Sequence, residues 1–230
     1  MSDRNRFRAS ICTLLLTAIV AGCGGAAAAT PTATRAPTPT PTPAGGIHQF
    51  TVGNPPIELT MTLPPGWQGD ASSASRPAAE GGQLSVSAWV LSAVYADPCQ
   101  WRSSAQQVGP STDAVVAALM GQAHRQSRVA TVKIGDLVAQ RVFMTVSSSE
   151  DFASCDEGAF RGWIGAPAGV EMAPSAPGQT DEAYVIDVGG VAVVLDAAYG
   201  DATTDELAEI HRIIQSLQVP VQESAAPSPG

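Results

Sequence analysis

The sequence predicts an α+β fold in which an antiparallel β-sheet is covered by two helices. The predicted strands come in consecutive blocks separated by Gly- and Pro-rich turns, and they do not alternate with helices. Helical apolar periodicity is restricted to two segments, 114–123 and 203–217. Two β-rich runs, 183–188 and 191–197, flank Gly189-Gly190, which is typical of a two-residue hairpin turn.

The first part of the domain is predicted to be β-structure. A short strand at 49–52 is broken by Asn-Pro-Pro at 54–56, and alternating apolar residues predict a second strand at 57–63. The Ser-, Ala- and Gly-rich stretch 70–82 is predicted to be a loop. Apolar and serine residues then alternate, which predicts a third strand at 84–90.

The middle of the domain mixes one helix with further strands. Pro110-Ser111-Thr112-Asp113 is typical of a helix start, and Gly135-Asp136 is typical of a hairpin turn. The predicted elements are a helix at 114–123, strands at 131–134, 137–146 and 159–164, and a mobile loop at 166–180.

The last hairpin has a register that the sequence itself predicts. A two-residue turn at Gly189-Gly190 sets three apolar residues of each strand opposite one another: Tyr184, Ile186 and Val188 against Leu195, Val193 and Val191. The other face, which we expect to be partly exposed to water, carries Val185, Asp187, Ala192, Val194 and Asp196.

The final helix has clear start and stop signals. Thr203-x-x-Glu206 is a capping box, and Pro220 ends the segment. Residues 47–220 are therefore predicted to form a single domain of ordinary size, with 221–230 as a frayed tail.

The N-terminal residues 1–22 have the pattern of an export signal. Three arginines precede an apolar stretch at 11–20, which is shorter than the roughly 20 residues that a membrane span needs. The run Val20-Ala21-Gly22-Cys23 follows and resembles the lipobox of bacterial lipoproteins. This resemblance implies cleavage before Cys23, lipid on its thiol and an extracytoplasmic, membrane-anchored protein. The alternative is an ordinary cleaved signal with an incidental cysteine.

Residues 23–46 are predicted to be a tether. They contain no large apolar residue after Cys23, so they cannot build a core. The Thr-Pro repeat at 36–43 favours extended polyproline II at about 3.1 Å per residue, which makes a semi-rigid spacer. This composition also suits O-glycosylation. A linker constrained only in length is the alternative.

The charge of the chain argues against two classes of partner. It has 12 basic and 21 acidic residues, and loss of the predicted leader leaves 9 and 20, a net charge of −11. An acidic protein without a basic cluster is not expected to bind nucleic acid or anionic lipid surfaces. The sequence contains no cofactor motif, so no cofactor is expected. Membrane lipid through the Cys23 anchor is the expected partner, together with an envelope protein or a glycan.

The cysteines predict one disulfide bond. Cys12 leaves with the leader and Cys23 takes lipid, so Cys99 and Cys155 remain as the pair that an oxidising compartment would join. A metal-binding or redox-active thiol pair is the alternative. It is disfavoured because no C-x-x-C spacing exists and the histidines are scattered.

Three further runs resemble a known group of domains. VYADPCQWR (94–102), CDEGAFRGWI (155–164) and YVIDVGGVAVVLDAAY (184–199) are similar to uncharacterised extracytoplasmic domains of actinobacteria and related lineages. The Leu-Pro-x-Gly-Trp start at 63–67 and the Ser-Leu end at 216–217 more remotely resemble the PsbP-like α-β-α sandwich class. The resemblance implies a fold and a location, and it supplies no catalytic residue.

The candidate ligand-binding residues are Trp101, Arg161, Trp163 and Asp187. The two tryptophans lie near the cysteines and could form an aromatic platform for a sugar or a partner, or could simply pack over the disulfide. Arg161, Trp163 and Asp187 could form a polar patch on one sheet face. A buried Arg–Asp pair that holds the Cys155 loop is the alternative.

Two functional hypotheses follow. The domain is either a tethered binding module or a structural or assembly lipoprotein without a small-molecule ligand. An exposed concavity near Trp163 would favour the first, and a fully covered sheet would favour the second. An enzyme is not expected, because the sequence contains no nucleophile elbow, phosphate loop or zinc-protease motif.

Overall fold

The computed structural model describes residues 45–166 and 169–220. All of these residues belong to one compact unit, Pro41–Gly230. The predictions for the export signal, for Cys23, for nearly all of the tether and for the C-terminal tail fall outside the described residues.

Strands account for most of the described elements. The strands, in chain order, are β1 Gly46–Val52, β2 Ile57–Leu63, β3 Gln68–Gly69, β4 Ser73–Pro77, β5 Gln83–Trp89, β6 Leu91–Tyr95, β7 Ala105–Gln107, β8 Arg125–Ile134, β9 Leu137–Val146, β10 Trp163–Gly165, β11 Glu171–Met172, β12 Thr180–Val188 and β13 Val191–Tyr199. The helices are α1 Trp101–Ser104, α2 Thr112–Met120 and α3 Thr204–Gln215.

The strands form three antiparallel sheets. The largest has seven strands in the order β3-β4-β5-β13-β12-β9-β8. A second has four strands in the order β11-β10-β6-β7, and β1 pairs with β2 alone. The predicted α+β class is confirmed, with one sheet divided into three and a short helix, α1, added to the two expected.

The β12–β13 hairpin at the centre of the large sheet has the predicted register. Tyr184 pairs with Leu195 and Ile186 with Val193. Both turn glycines have positive φ angles, 63° at Gly189 and 87° at Gly190, which is the conformation that a type I′ turn requires.

Each face of the large sheet carries its own hydrophobic core. On one face, the β1–β2 hairpin and α3 cover even-numbered residues of β12 such as Tyr184 and Ile186. On the other, α2 and the strands β6 and β10 cover Val185 and Val194. This second face is exposed to water only in part: Asp187 is exposed, whereas Val185, Ala192, Val194 and Asp196 are buried. The sequence pattern did not reveal the second layer that covers most of this face.

Polar contacts fasten α3 to the large sheet. The capping box is formed, with Thr203 and Glu206 bonded reciprocally. Below the helix the buried carboxylate of Glu182 accepts hydrogen bonds from the hydroxyls of Tyr184, at 2.7 Å, and Tyr199, at 2.6 Å. The ring of His211 on α3 lies 3.2 Å from the same carboxylate. Burial acts to raise the pKa of Glu182, but these hydrogen bonds and His211 outweigh it and lower that pKa.

Several boundaries differ from the predicted ones. The strand β4 lies inside the predicted loop 70–82, because its serines pair with β5 on a polar face and carry no apolar signal. Similarly, β8 begins at Arg125 and not at 131, since it is an edge strand with mostly exposed residues. The predicted strand at 159–164 is reduced to Trp163–Gly165, and β11 lies inside the predicted loop 166–180.

Candidate functional site

A polar groove opens between the large sheet and the β11 segment. It has a volume of about 290 Å³, and serines from two neighbouring strands line one side. We call it the serine groove, and its lining residues are Ser73, Ser75, Gln83, Ser85, Ser87, Trp89, Glu171, Met172, Ala173, Ser175, Gln179, Asp196 and Ala198.

The serines form a regular array because β4 and β5 are paired in register. Ser73 lies opposite Ser87, and Ser75 lies opposite Ser85. Residues two apart in a strand point to the same face, so all four side chains point toward the groove. The alternation Ser85-Val86-Ser87-Ala88 thus sends apolar side chains into one core and hydroxyls into the groove.

Asp196 in β13 lies at the inner end of the groove and is 2% exposed. It pairs in the sheet with Ser87 on one side and with Ala183 on the other. Among residues 45–166 and 169–220, no group donates a hydrogen bond to the buried Oδ1 atom of Asp196. Burial, and after it the charge of Asp181, raise the pKa of Asp196 well above the ordinary value of 3.8, against the smaller opposing effect of Arg125.

A second buried carboxylate close to Asp196 has its own partners. The side chains of Asp181 and Arg125 are both fully buried, and Arg125 Nη1 donates to Asp181 Oδ2 at 2.6 Å. The amide of Gln179 donates to Asp181 Oδ1 at 2.8 Å. Arg125 is paired with Asp181, and within the described ranges Asp196 forms no salt bridge, although the Arg125 charge acts on it from a distance.

Trp89 forms an aromatic wall of the groove. Its indole N–H donates to the Ser87 hydroxyl at 2.7 Å, and its ring meets the Trp163 ring edge-on at a centroid distance of 6.2 Å. Gly165 lies against the indole so closely that a Cβ atom there would be 2.8 Å from Trp89 Cε3. The position of the Trp89 ring is therefore fixed by contacts on two sides.

The predicted disulfide bond is formed between Cys99 and Cys155. Trp101 lies beside it, and its indole N–H donates to the Asp156 carbonyl at 2.9 Å. The Arg161 guanidinium stacks 3.7 Å from the Trp101 ring centroid and pairs with Glu171. Trp101 and Arg161 thus form one cluster near the disulfide.

The other two predicted ligand-binding residues have different surroundings. Trp163 is fully buried between α2 and the large sheet and has no exposed indole face. Asp187 lies beside the hairpin turn, where its carboxylate accepts from the Gly190 N–H at 2.9 Å. No hydrogen bond or salt bridge among the described residues joins Asp187 to Arg161 or Trp163.

Metal-binding side chains are grouped at one place among the described residues. Cys99, Glu150 and Cys155 lie close enough to share an ion, but the two sulfurs are bonded to each other. Thiolates are the zinc-binding form of cysteine, so the disulfide removes this set of ligands.

The sequence reasoning missed the serine groove. The sequence features that indicate the groove are Asp196, a charged residue within the apolar run Val191–Tyr199, and two pairs of serines spaced two residues apart. These pairs are Ser73 with Ser75 and Ser85 with Ser87. The first serine segment lies in the stretch 70–82 that the sequence predicts to be a loop, so the sequence pattern does not place the two serine pairs opposite one another.

Comparison with known proteins identifies no relative. No family model, curated protein or solved structure matches this chain. In the described ranges there is also no helix with the length and apolar character needed to cross a membrane.

Proposed function

We propose that this protein is a membrane-anchored extracytoplasmic lipoprotein whose domain binds a small polar ligand in the serine groove. The lipobox-like run ending at Cys23 supports the anchor, and the Thr-Pro repeat supports a spacer between membrane and domain. The disulfide between Cys99 and Cys155 is consistent with an oxidising compartment.

The observation that carries the binding role is the unpartnered carboxylate oxygen of Asp196 at the inner end of an open groove. Buried polar atoms in folded proteins almost always have a hydrogen-bond partner, because a missing partner costs about 1–3 kcal/mol. Fold stability alone would favour an apolar residue at this position in β13. A ligand that donates a hydrogen bond to Asp196 would offset the cost of burying it.

The surroundings of Asp196 also support a binding role over a purely structural one. Hydroxyl and amide groups converge with one aromatic ring on a concave surface, which is the usual composition of a small-molecule site. A lipoprotein with only an assembly role would not need a polar concavity inside its fold.

Blocking the groove tests the ligand site. The Ser85→Phe variant places a ring among the groove serines, and Ser103→Phe, at an exposed position of α1 outside the groove, is the matched control. Two-dimensional NMR with a panel of monosaccharides, polyols and small amines should show groove-centred shifts in the wild type and in Ser103→Phe. Ser85→Phe should lose them. Ligand-induced shifts that survive in Ser85→Phe would place binding elsewhere and reject the proposal.

Fractionation tests the anchor. The Cys23→Ala variant should appear in the soluble extracytoplasmic fraction, whereas the wild type should remain with membranes. A Cys12→Ala variant is the control, because Cys12 lies within the predicted leader and should not change the distribution. Membrane retention of Cys23→Ala would contradict lipid attachment at this residue.

A further inference from the structure

We propose that the ligand of the serine groove is a hydroxylated primary amine of about one sugar ring, an amino sugar unit whose ammonium group binds Asp196. This inference rests on the proposed binding role of the groove and adds the chemical class of the ligand. It follows from the charges, the hydroxyl array and the size of the groove.

The charges of the groove favour a cation. Its lining contains two carboxylates, Asp196 and Glu171, and no lysine, arginine or histidine. Glu171 is already compensated, because it pairs with Arg161 and accepts a hydrogen bond from the Tyr95 hydroxyl at 2.6 Å. Asp196 therefore remains as the uncompensated carboxylate of the lining. Anionic ligands such as phosphates would be repelled, and an ammonium group would supply both the missing charge and the missing hydrogen-bond donor.

Other charged groups around Asp196 reinforce this preference. Asp181 and Glu182 add negative charge from the neighbouring strand, and Arg125 opposes them. Glu182 points to the opposite face of β12, where tyrosine hydroxyls and His211 satisfy it. Arg125 is held by Asp181 at 2.6 Å. The buried carboxyl group of Asp196 thus lies in surroundings that favour a cation beside it.

The serine array suits the remaining hydroxyls of such a ligand. The Ser87 hydroxyl accepts from Trp89, at 2.7 Å, and the Ser75 hydroxyl accepts from Gln83, at 2.6 Å. Each of these hydroxyls keeps a proton with which to donate, and a hydroxyl group offers both a donor and acceptors. The Cβ atoms of serines that lie opposite one another on the two strands are about 5 Å apart. Two neighbouring hydroxyl groups of one sugar ring can therefore each bind a different serine.

The aromatic wall and the volume of the groove limit the ligand to one ring. Trp89 offers an indole surface on which the C–H face of a sugar or an ammonium group can pack. The volume of about 290 Å³ lies at the lower end of the range for small-ligand pockets. A single sugar unit, free or at the end of a glycan, fits this size better than an internal oligosaccharide segment.

A divalent cation fits the groove less well than an organic amine. Calcium takes six to eight oxygen ligands and magnesium takes six. Asp196 and Glu171 lie on different elements, and Glu171 is engaged by Arg161. In the part of the chain that the structure describes, metal-binding side chains cluster at the disulfide and not in the groove.

The test compares an amino sugar with its neutral counterpart. Glucosamine and glucose are titrated into the full-length protein at neutral pH, and binding is followed by NMR chemical-shift changes. The variant is Asp196→Asn, and the matched control is Asp187→Asn, which changes an exposed carboxylate at the other end of the hairpin. Glucosamine should bind wild type and Asp187→Asn at least about tenfold more tightly than glucose. Asp196→Asn should lose this preference while its circular dichroism spectrum stays native.

The outcomes separate the ligand class from the binding role. Equal binding of glucose and glucosamine, abolished by Ser85→Phe, would overturn the amine inference and leave the groove as a ligand site. If glucosamine does not bind but another monosaccharide, polyol or small amine does, and Ser85→Phe abolishes that binding, the amino-sugar inference is overturned and the groove remains a ligand site. An amine preference that survives Asp196→Asn would also overturn the inference. A groove to which no panel member binds would overturn both proposals.

Discussion

The disulfide bond should provide a large share of the stability of the domain. It joins Cys99 and Cys155 across a sequence separation of 56 residues. In the chain-entropy description, closing a loop of this length removes enough freedom from the unfolded chain to stabilise the folded state by about 4 kcal/mol at 25 °C. The apolar cluster around the bond is small, consisting of Val146, Cys155 and Phe160 with Cys99 and Phe152 at its edge. Hydrogen bonds, such as the one from the Asp156 N–H to the Cys99 carbonyl at 2.8 Å, also join the two segments, but the apolar packing there is limited.

Urea unfolding followed by tryptophan fluorescence measures this contribution. The free energy of unfolding should fall by about 4 kcal/mol when the wild type is reduced, because the thiols stay in place and only the cross-link is lost. The variant Cys99→Ala/Cys155→Ala should lose slightly more, since truncation also removes packing around the nearly buried Cys155. Reductant should leave the stability of that variant unchanged.

A small effect would refute this reasoning. If the free energies of unfolding of oxidised and reduced wild type differ by less than about 1 kcal/mol, the bond does not stabilise the fold by restricting the unfolded chain. A double variant much less stable than the reduced wild type would instead assign most of the contribution to packing of the sulfur atoms.

Three further predictions concern the groove and α3. Because burial raises the pKa of Asp196, its carboxyl group stabilises the fold fully only below the ordinary value of 3.8, and this contribution is lost as pH rises through the raised value. Asp196→Asn should therefore gain stability relative to wild type as the pH rises above 3.8; urea-stability profiles of the two proteins that stay parallel as the pH rises would contradict a raised pKa for the buried Asp196 carboxyl group. Tyr199→Phe removes the 2.6 Å hydrogen bond to buried Glu182 and should cost about 1–3 kcal/mol in urea unfolding, and a change near zero would mean that water or another donor replaces the hydroxyl. Gly165→Ala should displace the Trp89 indole, costing about 1–3 kcal/mol and changing the tryptophan emission spectrum, whereas an unchanged spectrum would show that the backbone gives way instead.

The parts of the fold that sequence predicts well are governed by local physics. The β12–β13 hairpin follows from two glycines, which readily adopt positive φ angles, between β-branched runs. The start of α3 follows from the capping box of Thr203 and Glu206, which satisfies backbone N–H groups within one turn of helix. Neither feature depends on residues far away in the chain.

The parts that sequence predicts poorly depend on distant partners. The polar strand β4 forms because β5 pairs with it, and its own residues carry no apolar alternation. Most of the second face of the large sheet is buried because α2 and β10 pack on it. The exposure of Asp187 and the burial of Asp196, on the same face of one hairpin, show that hairpin position alone does not decide contact with water.

By itself the sequence determined the α+β class, the hairpin register, the start of α3 and the pairing of Cys99 with Cys155, and it supplies the reasons for proposing export and a lipid anchor. Tertiary structure decided which residues share a site. It brought serines from β4 and β5 together with Asp196 and Trp89, and it buried Trp163 among apolar residues. The physical reason is that capping, turn formation and alternation act over a few residues, whereas burial and charge compensation depend on the layer that packs on top.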